Sequence, residues 1–365
     1  MPRTALGDAF NFLRSYFSGK ASYLIFFVTA VCNARCKHCF YWAEIGSADA
    51  RKERKPEEIA KMARSLSPLI YLSIGGGEPF LRSDLAEVVE TFYREAGLQY
   101  VNIVTNGFYT DRVLKTVDRL LETCPRLKVK IQVSIDDFEK AHDEYRGVPG
   151  IYKKAVDTIA KLSEKRKSQP RFTLDVATCI TKSNKEHVTK LHDHLRGELE
   201  FDNYQLLYPR GNAEVMTEKD VTPAEYEAAV ELMEKHDFHR NHNPLLSAVN
   251  RVAKRGILDF LKDDRQPWGC LAGTKFVSVT ERGILQPCEV LHQMAPSYDS
   301  DMADLRKFDF DVAAAQRSPK GREVVDYIKR TRCRCSFECG ANCNVVFDKK
   351  NAAGVVKDWL VGKTG

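Results

Sequence analysis

Residues 23–31, Tyr-Leu-Ile-Phe-Phe-Val-Thr-Ala-Val, run unbroken into Cys32-Asn33-Ala34-Arg35-Cys36-Lys37-His38-Cys39. The stretch is too short to cross a bilayer, and no signal-peptide cleavage pattern accompanies it. It reads as a buried strand that delivers three thiols to its own end. Eleven cysteines cannot all pair internally, and a chain with no secretory signal is expected in the reducing cytoplasm. There, such thiols are better used on metal than in disulfides.

Apolar residues make up 43% of the 365, enough for one large domain and a smaller one. Charged residues are 29%, mixed in sign, with a net charge of +6 and no long Lys/Arg run. That balance gives no reason to expect a nucleic-acid partner.

Strand, loop and helix then alternate. Strands are expected at 23–29, 70–74, 100–105, 129–135, 171–180 and 204–207. Helices are expected to begin near Pro56, Ser83, Thr110, Gly150 and Asn184. Six such units predict an α/β fold with a parallel sheet, either open or closed into a barrel. In both, functional loops lie at the carboxyl ends of the strands. After Gly211 the alternation stops. Residues 222–262 look helical, interrupted near Asn243-Pro244, and six more cysteines fall between Trp268 and Val346. Residues 5–17 place Leu6, Phe10, Leu13 and Phe17 at helical spacing. That stripe should dock on the domain; the other reading is a membrane-surface helix flanked by Arg3, Arg14 and Lys20.

Three thiolates spaced C-x3-C-x2-C can hold three irons of a [4Fe–4S] cube and leave the fourth open. A zinc site with His38 as fourth ligand is the alternative, though His38 sits awkwardly between two of the cysteines. Gly75-Gly76-Gly77-Glu78-Pro79 follows the second strand. Its glycines allow close backbone approach, and Glu78 could receive an ammonium group. Ser134 and Asp136 end the fourth strand on one side of it, where two oxygens could bind a ribose diol. Taken singly, a glycine turn and a capped strand end explain the last two as well.

Together, Cys32-x3-Cys36-x2-Cys39, the Gly-Gly-Glu-Pro run and Ser134-x-Asp136 resemble the radical S-adenosylmethionine (SAM) superfamily, over residues 22–210. The resemblance implies a partial (β/α)6 TIM-like barrel. It also implies SAM chelated to the open iron and cleaved to a 5′-deoxyadenosyl radical that abstracts hydrogen from a substrate. By the same resemblance, Cys32, Cys36 and Cys39 ligate the catalytic cluster. His38 and Phe40 lie beside the cofactor, with His38 standing where the family usually has an aromatic residue. Gly76, Gly77 and Glu78 face the methionyl amine, Ser134 and Asp136 the ribose, and Arg146 the carboxylate; a surface charge is the other reading of Arg146.

Cys270, Gly283-x4-Cys288 and Cys333-x-Cys335-x3-Cys339-x3-Cys343 resemble the SPASM or Twitch auxiliary-cluster extension. The spacing departs from the family's C-x2-C, and no final cysteine follows. At least one auxiliary [4Fe–4S] cluster is implied, with Cys270, Cys288 and some of the later group as ligands; a structural zinc knuckle is the other reading. Cys124 and Cys179 read as packing residues. Glu289 stands where the sulfatase-maturating enzymes that this domain resembles carry an aspartate as general base, a role glutamate could fill at longer reach; a solvated acid beside a cluster is the other reading. Arg210, after the sixth strand, reads as a grip for an anionic group or as a structural ion pair.

The expected division is an N-terminal helix (1–21), the barrel (22–215), a helical connector (216–265), the auxiliary-cluster domain (266–347) and a polar tail (348–365). The expected partners are a small-molecule or peptide substrate and a low-potential electron donor such as flavodoxin or ferredoxin. Only about 20 residues precede the first strand, which favours a small molecule over a ribosomal peptide. An iron–sulfur or zinc protein without catalysis is the reading from another class.

Overall fold

The computed structural model describes residues 5–235, 244–348 and 351–361. Helix α1 (Ala5–Phe17) leads into six parallel strands. These are β1 (Tyr23–Thr29), β2 (Tyr71–Gly76), β3 (Tyr100–Thr105), β4 (Lys128–Ser134), β5 (Phe172–Cys179) and β6 (Asn203–Leu207), each paired with the next. Between them run α2 (Trp42–Gly46), α3 (Pro56–Ser65), α4 (Leu85–Glu95), α5 (Thr110–Thr123), α6 (Glu139–Arg146), α7 (Ile151–Ser168) and α8 (Val188–Glu198).

Strand residues alternate between two faces. Leu24, Phe26, Leu72, Ile103, Ile131 and Tyr204 are buried on the helix side. Phe26 meets Phe92 of α4 edge-on, with ring centroids 6.2 Å apart. Burying one such ring contributes about 2 kcal/mol. The other face carries most of the polar strand residues and lines the inside of the curve.

Two helices start later than expected. α4 starts at Leu85, because Arg82 draws in the Asp84 carboxylate at 2.7 Å and the turn before it is a separate 3-10 segment. α8 starts at Val188, because the Asn184 side chain bonds Thr181 N and the carbonyls of Asp136 and Cys179.

The sheet continues past β1. β7 (Phe276–Val279) lies parallel to β1 on the side opposite β2, and β8 (Ile284–Gln286) and β9 (Ala303–Asp304) add antiparallel. The strand order is β6-β5-β4-β3-β2-β1-β7-β8-β9, and the sheet does not close. The fold is therefore α/β, a partial six-stranded parallel barrel whose sheet carries a short C-terminal extension.

Helices α9 (Pro223–Lys235), α10 (Pro244–Asp263), α11 (Leu291–Met294), α12 (Val312–Gln316), α13 (Pro319–Arg330), α14 (Glu338–Phe347) and α15 (Ala352–Val361) complete the described α-helices. The interruption expected at Asn243 lies outside the described residues. The expected polar tail is helical where described: Asp358 of α15 pairs with Arg251 and Arg255 of α10 at 2.7 and 2.5 Å.

The docking face expected for α1 is wrong. Phe10, Leu13 and Phe17 are 65%, 55% and 72% exposed. Instead Phe12 and Tyr16 stack on Phe347, with centroids 6.4 and 5.5 Å away. Lys275 donates to the Ser15, Tyr16 and Ser18 carbonyls at the helix end, at 3.0, 2.8 and 2.6 Å. Both faces of α1 carry large apolar residues, and the one with two stacking rings wins. Arg3 and the Leu6 side chain lie outside the described residues. No described helix is long and apolar enough to cross a membrane.

Candidate active site

The cysteine loop follows β1 and is held by backbone on both flanks. Arg35 N and Lys37 N donate to the carbonyls of Arg146 and Tyr145, at 2.9 and 3.3 Å. Those carbonyls end α6, where helix carbonyls lack partners of their own. On the other flank, Val215 N donates to Lys37 O at 2.8 Å and Glu214 N to Cys39 O at 3.2 Å. Burial pushes Cys32 and Cys39 up to about 12 and raises Cys36 too. Neighbouring thiols raise one another further, so thiolates persist here only beside a strong cation. Among the described residues, no three His, Cys, Asp or Glu side chains converge as one metal ion requires. A cube, which presents a separate iron to each thiolate, fits this donor set better than zinc does.

The glycine run is explained by its neighbours. Gly76 sits at φ +113°, and a Cβ there would overlap the Thr29 carbonyl oxygen. A Cβ on Gly77 would overlap the Val31 carbonyl. Gly77 N donates to Thr29 O at 2.8 Å, and Glu78 N to Val31 O at 2.9 Å. The turn after β2 is thus laid against the backbone entering Cys32.

The Glu78 carboxylate faces inward rather than toward solvent. It accepts from Thr105 Oγ1 (2.8 Å), Asn106 N (2.8 Å) and Phe80 N (3.2 Å). Burial raises its carboxyl to about 6, against those three hydrogen bonds. Asn106 Nδ2 then donates to Asn33 Oδ1 at 2.9 Å, inside the cysteine loop. Sequence reasoning missed Asn33, Thr105 and Asn106. The polar triplet Thr105-Asn106-Gly107 at the end of β3 is the signal that could have found them.

Asp136 and Arg146 meet each other. Arg146 Nε and NH2 lie 3.0 and 2.7 Å from Asp136 Oδ2, and Cys179 N donates to Oδ1 at 3.1 Å. Burial pushes Asp136 up, but Arg146 and two histidines outweigh it and hold the carboxyl at about 2. Ser134 is half-buried at the end of β4, beside this pair. His38 stacks on Tyr145, with centroids 5.3 Å apart and planes 13° from parallel. Burial lowers its pKa.

The late cysteines separate into two groups. Cys270, Cys288, Cys333 and Cys335 line one small cavity of about 20 Å³, partly open to solvent. Gly340, Ala341 and Asn344 of α14 also line it, whereas Cys339 and Cys343 do not. At 100° per residue, those two lie about 130° round the helix from the cavity-lining stripe. Cys339 instead approaches the Tyr23 hydroxyl, and burial raises it to about 11. Cys124 and Cys179 are buried as packing residues.

Arg210 links the two regions. It lies 2.7 Å from Glu289 and 3.0 Å from Glu338, and over the rings of Phe40 and Phe337 at 5.2 and 5.1 Å. Phe40 follows Cys39, Glu289 follows Cys288, and Glu338 precedes Cys339. Burial raises the Glu289 carboxyl, and Arg210 opposes that.

A profile of the radical SAM superfamily matches residues 26–195. Residues 26–195 are a radical SAM domain. Such enzymes use SAM and a [4Fe–4S] cluster, and the thiol loop and glycine turn described above lie within the matched segment. The AdoMet-dependent heme synthase of Methanosarcina barkeri is 28% identical over 286 residues, 73% of this chain and 76% of that one. Among solved structures, anSMEcpe with bound AdoMet matches 94% of this chain and 95% of its own, with a TM-score of 0.58 and 17% identity. Streptococcus suis SuiB bound to S-adenosylmethionine covers 88% and 71%, with a TM-score of 0.59 and 15% identity. At those identities the structural likeness is one of fold. It places this chain among partial barrels.

Proposed function

We propose that Cys32, Cys36 and Cys39 hold the catalytic [4Fe–4S] cluster, and that the enzyme is of oxidoreductase type, acting on a C–H bond of a small molecule. When bound, the cluster and SAM supply one-electron cleavage to a 5′-deoxyadenosyl radical. The chain's own residues fix the geometry. Backbone from α6 and from residues 214–215 clamps the thiol loop, and Gly76-Gly77 presents backbone to the methionyl end. Ser134 and the Asp136–Arg146 pair would hold the ribose and carboxylate, and His38 and Phe40 would flank the cofactor.

The observation that carries the oxidative reading is the four-thiol cavity, tied through Arg210 to the first thiol loop. It supports one auxiliary [4Fe–4S] cluster on Cys270, Cys288, Cys333 and Cys335, with Cys339 and Cys343 left out. Such a cluster can take the electron left on a substrate radical. Glu289 beside it is the group to accept the accompanying proton. The name of the M. barkeri relative, a heme synthase, supports a small-molecule substrate. A flavodoxin or ferredoxin would supply the first electron.

The test is anaerobic reconstitution with iron and sulfide, followed by SAM and dithionite. 5′-Deoxyadenosine should form, and Cys36→Ala should abolish it. Intact clusters without product would defeat the reading.

A further inference from the structure

Helix α13 ends in a basic run that leads directly into two thiols of the four-thiol cavity: Lys329-Arg330-Thr331-Arg332-Cys333-Arg334-Cys335. The junction is a Schellman cap. Cys333 N donates to Ile328 O at 3.0 Å, and Arg332 N to Lys329 O at 3.1 Å. Such a cap places one residue in the left-handed region, and glycine is the usual occupant. Here the occupant is Arg332, at φ +49°. Its own Cβ strains the backbone there, a cost that glycine would avoid. No internal contact offsets that cost. Arg332 is exposed, and its guanidinium has no ion-pair or hydrogen-bond partner among the described residues.

The charge beside it is one-sided. Arg330 is also exposed and in no ion pair among the described residues. The carboxylates bordering the run are already engaged. Asp326 lies 3.8 Å from Lys329, Asp264 meets Arg334, and Asp263 lies 2.6 Å from Arg265. Lys329 and Arg330 suit the last turn of a helix, whose carbonyl end attracts cations. Arg332 lies past that turn, so the helix does not account for it.

This patch borders the opening of the cavity. Arg334 and Met294 line the cavity with the four cysteines, and it is partly open to solvent. Met294 is 49% exposed, which puts an apolar side chain on the rim. An apolar spot within a ring of one charge, beside a redox site, is the layout of a small transient interface steered by electrostatics.

We propose that this rim is the docking surface for an acidic one-electron carrier protein, which collects the electron leaving the second site. The proposal rests on the oxidative reading above. One electron leaves the substrate radical, passes through the second site and reaches the carrier. The carrier arrives oxidised and departs reduced by one electron. The accompanying proton goes to Glu289, so the carrier is the oxidant that the reaction requires.

The test uses the cluster-reconstituted protein and an acidic flavodoxin, oxidised, as the probe. Biolayer interferometry should show saturable binding that weakens several-fold from about 50 to about 200 mM salt. Combining Arg330→Glu with Arg332→Glu should weaken it about tenfold or more. Arg332→Gly relieves the cap strain, so misfolding cannot explain a loss; it should weaken binding by a smaller factor. Lys153→Glu, an exposed charge reversal on α7, should leave binding unchanged. In stopped flow, pre-reduced enzyme should generate flavodoxin semiquinone more slowly in the double variant. Four results overturn the assignment: no saturable binding, binding unchanged in the double variant, equal weakening by Lys153→Glu, or tighter binding of a short oligonucleotide than of flavodoxin at the same salt. 5′-Deoxyadenosine formed with SAM and dithionite bypasses the carrier and should be unchanged in the double variant. Its formation without patch-dependent flavodoxin binding removes the docking surface alone; its absence from wild type removes the reading beneath.

Discussion

The Arg210 guanidinium meets the Glu289 carboxylate at 2.7 Å while also lying 3.0 Å from Glu338. One cation thus serves two carboxylates in a largely buried setting. It comes from the loop after β6, and its partners come from residues next to the late cysteines. Arg210 is therefore not free to grip a substrate anion.

Arg210→Gln should destabilise the protein by about 3 kcal/mol, because it leaves two buried carboxylates facing each other. Chemical denaturation measures this. Arg210→Lys should recover part of the loss, since it restores the charge without the planar fork. Unchanged stability in Arg210→Gln would show that the two acids are solvated.

Iron content should separate the late cysteines. The reconstituted wild type should carry about eight irons per chain, for two cubes. Cys288→Ala and Cys335→Ala should each lower that to about four. Cys339→Ala and Cys343→Ala should leave it near eight. Loss of iron in either of the last two variants would contradict the grouping by cavity.

Gly76→Ala should abolish 5′-deoxyadenosine formation while the overall fold persists. The new methyl would overlap Thr29 O, and φ +113° disfavours any side chain. The backbone strain alone costs about 1–3 kcal/mol. Near-unity far-UV circular dichroism with at least a tenfold activity loss is the expected signature. Wild-type activity would mean that the turn yields without moving the thiol loop.

Glu78 and Asp136 should leave opposite marks on stability against pH. Glu78 has a folded pKa of about 6, raised by burial above an ordinary 4.5. The folded state then holds the proton more tightly than the unfolded one. Stability should fall by roughly 2 kcal/mol as pH rises from about 4.5 to 6. Asp136 is held at about 2, below an ordinary 3.8. Its contribution is present above about pH 4 and is lost as pH falls toward 2. Denaturation of the cluster-free protein across pH 2–7 resolves the two slopes. Asp136→Asn should remove the acid-side slope, and its persistence in that variant would assign it elsewhere.

Phe347→Ala should weaken the docking of α1 by about 1–2 kcal/mol, through two lost ring contacts. Phe10→Ser should be neutral. Differential scanning fluorimetry of the two variants decides which face docks.

The six parallel strands were legible because each is an apolar run or alternates apolar with polar residues, and several stop at a residue that breaks the pattern, such as Gly75, Asn106 or Asp136. β7, β8 and β9 were not, since strands of four, three and two residues carry too little period to see. α6 was missed because Glu139–Arg146 is almost wholly polar, and its position is set by what its last carbonyls hold. The cysteines could be counted from sequence. Their division into four and two needed the rotation of α14, which no spacing rule reveals when both faces carry small or sulfur side chains. The Glu78–Asn106–Asn33 relay was invisible for a simpler reason: it joins three loops that only the sheet brings together.

The two thiol groups differ in how much of the chain must exist before each is assembled. Cys32, Cys36 and Cys39 lie within eight residues and are held by β1, β2, α6 and residues 214–215. The four-thiol cavity draws on residues 270 to 335 and on a wall of α14. Contacts so distant in sequence form late. During synthesis, the first site can take shape while the second is still inside the ribosome. Whatever fills the second site then acts as a clasp that ties residues 270–288 to residues 333–335 within the C-terminal segment. In an iron-starved cell, protein lacking that clasp would have a formed barrel and a loose C-terminal segment, which is the form most exposed to proteolysis.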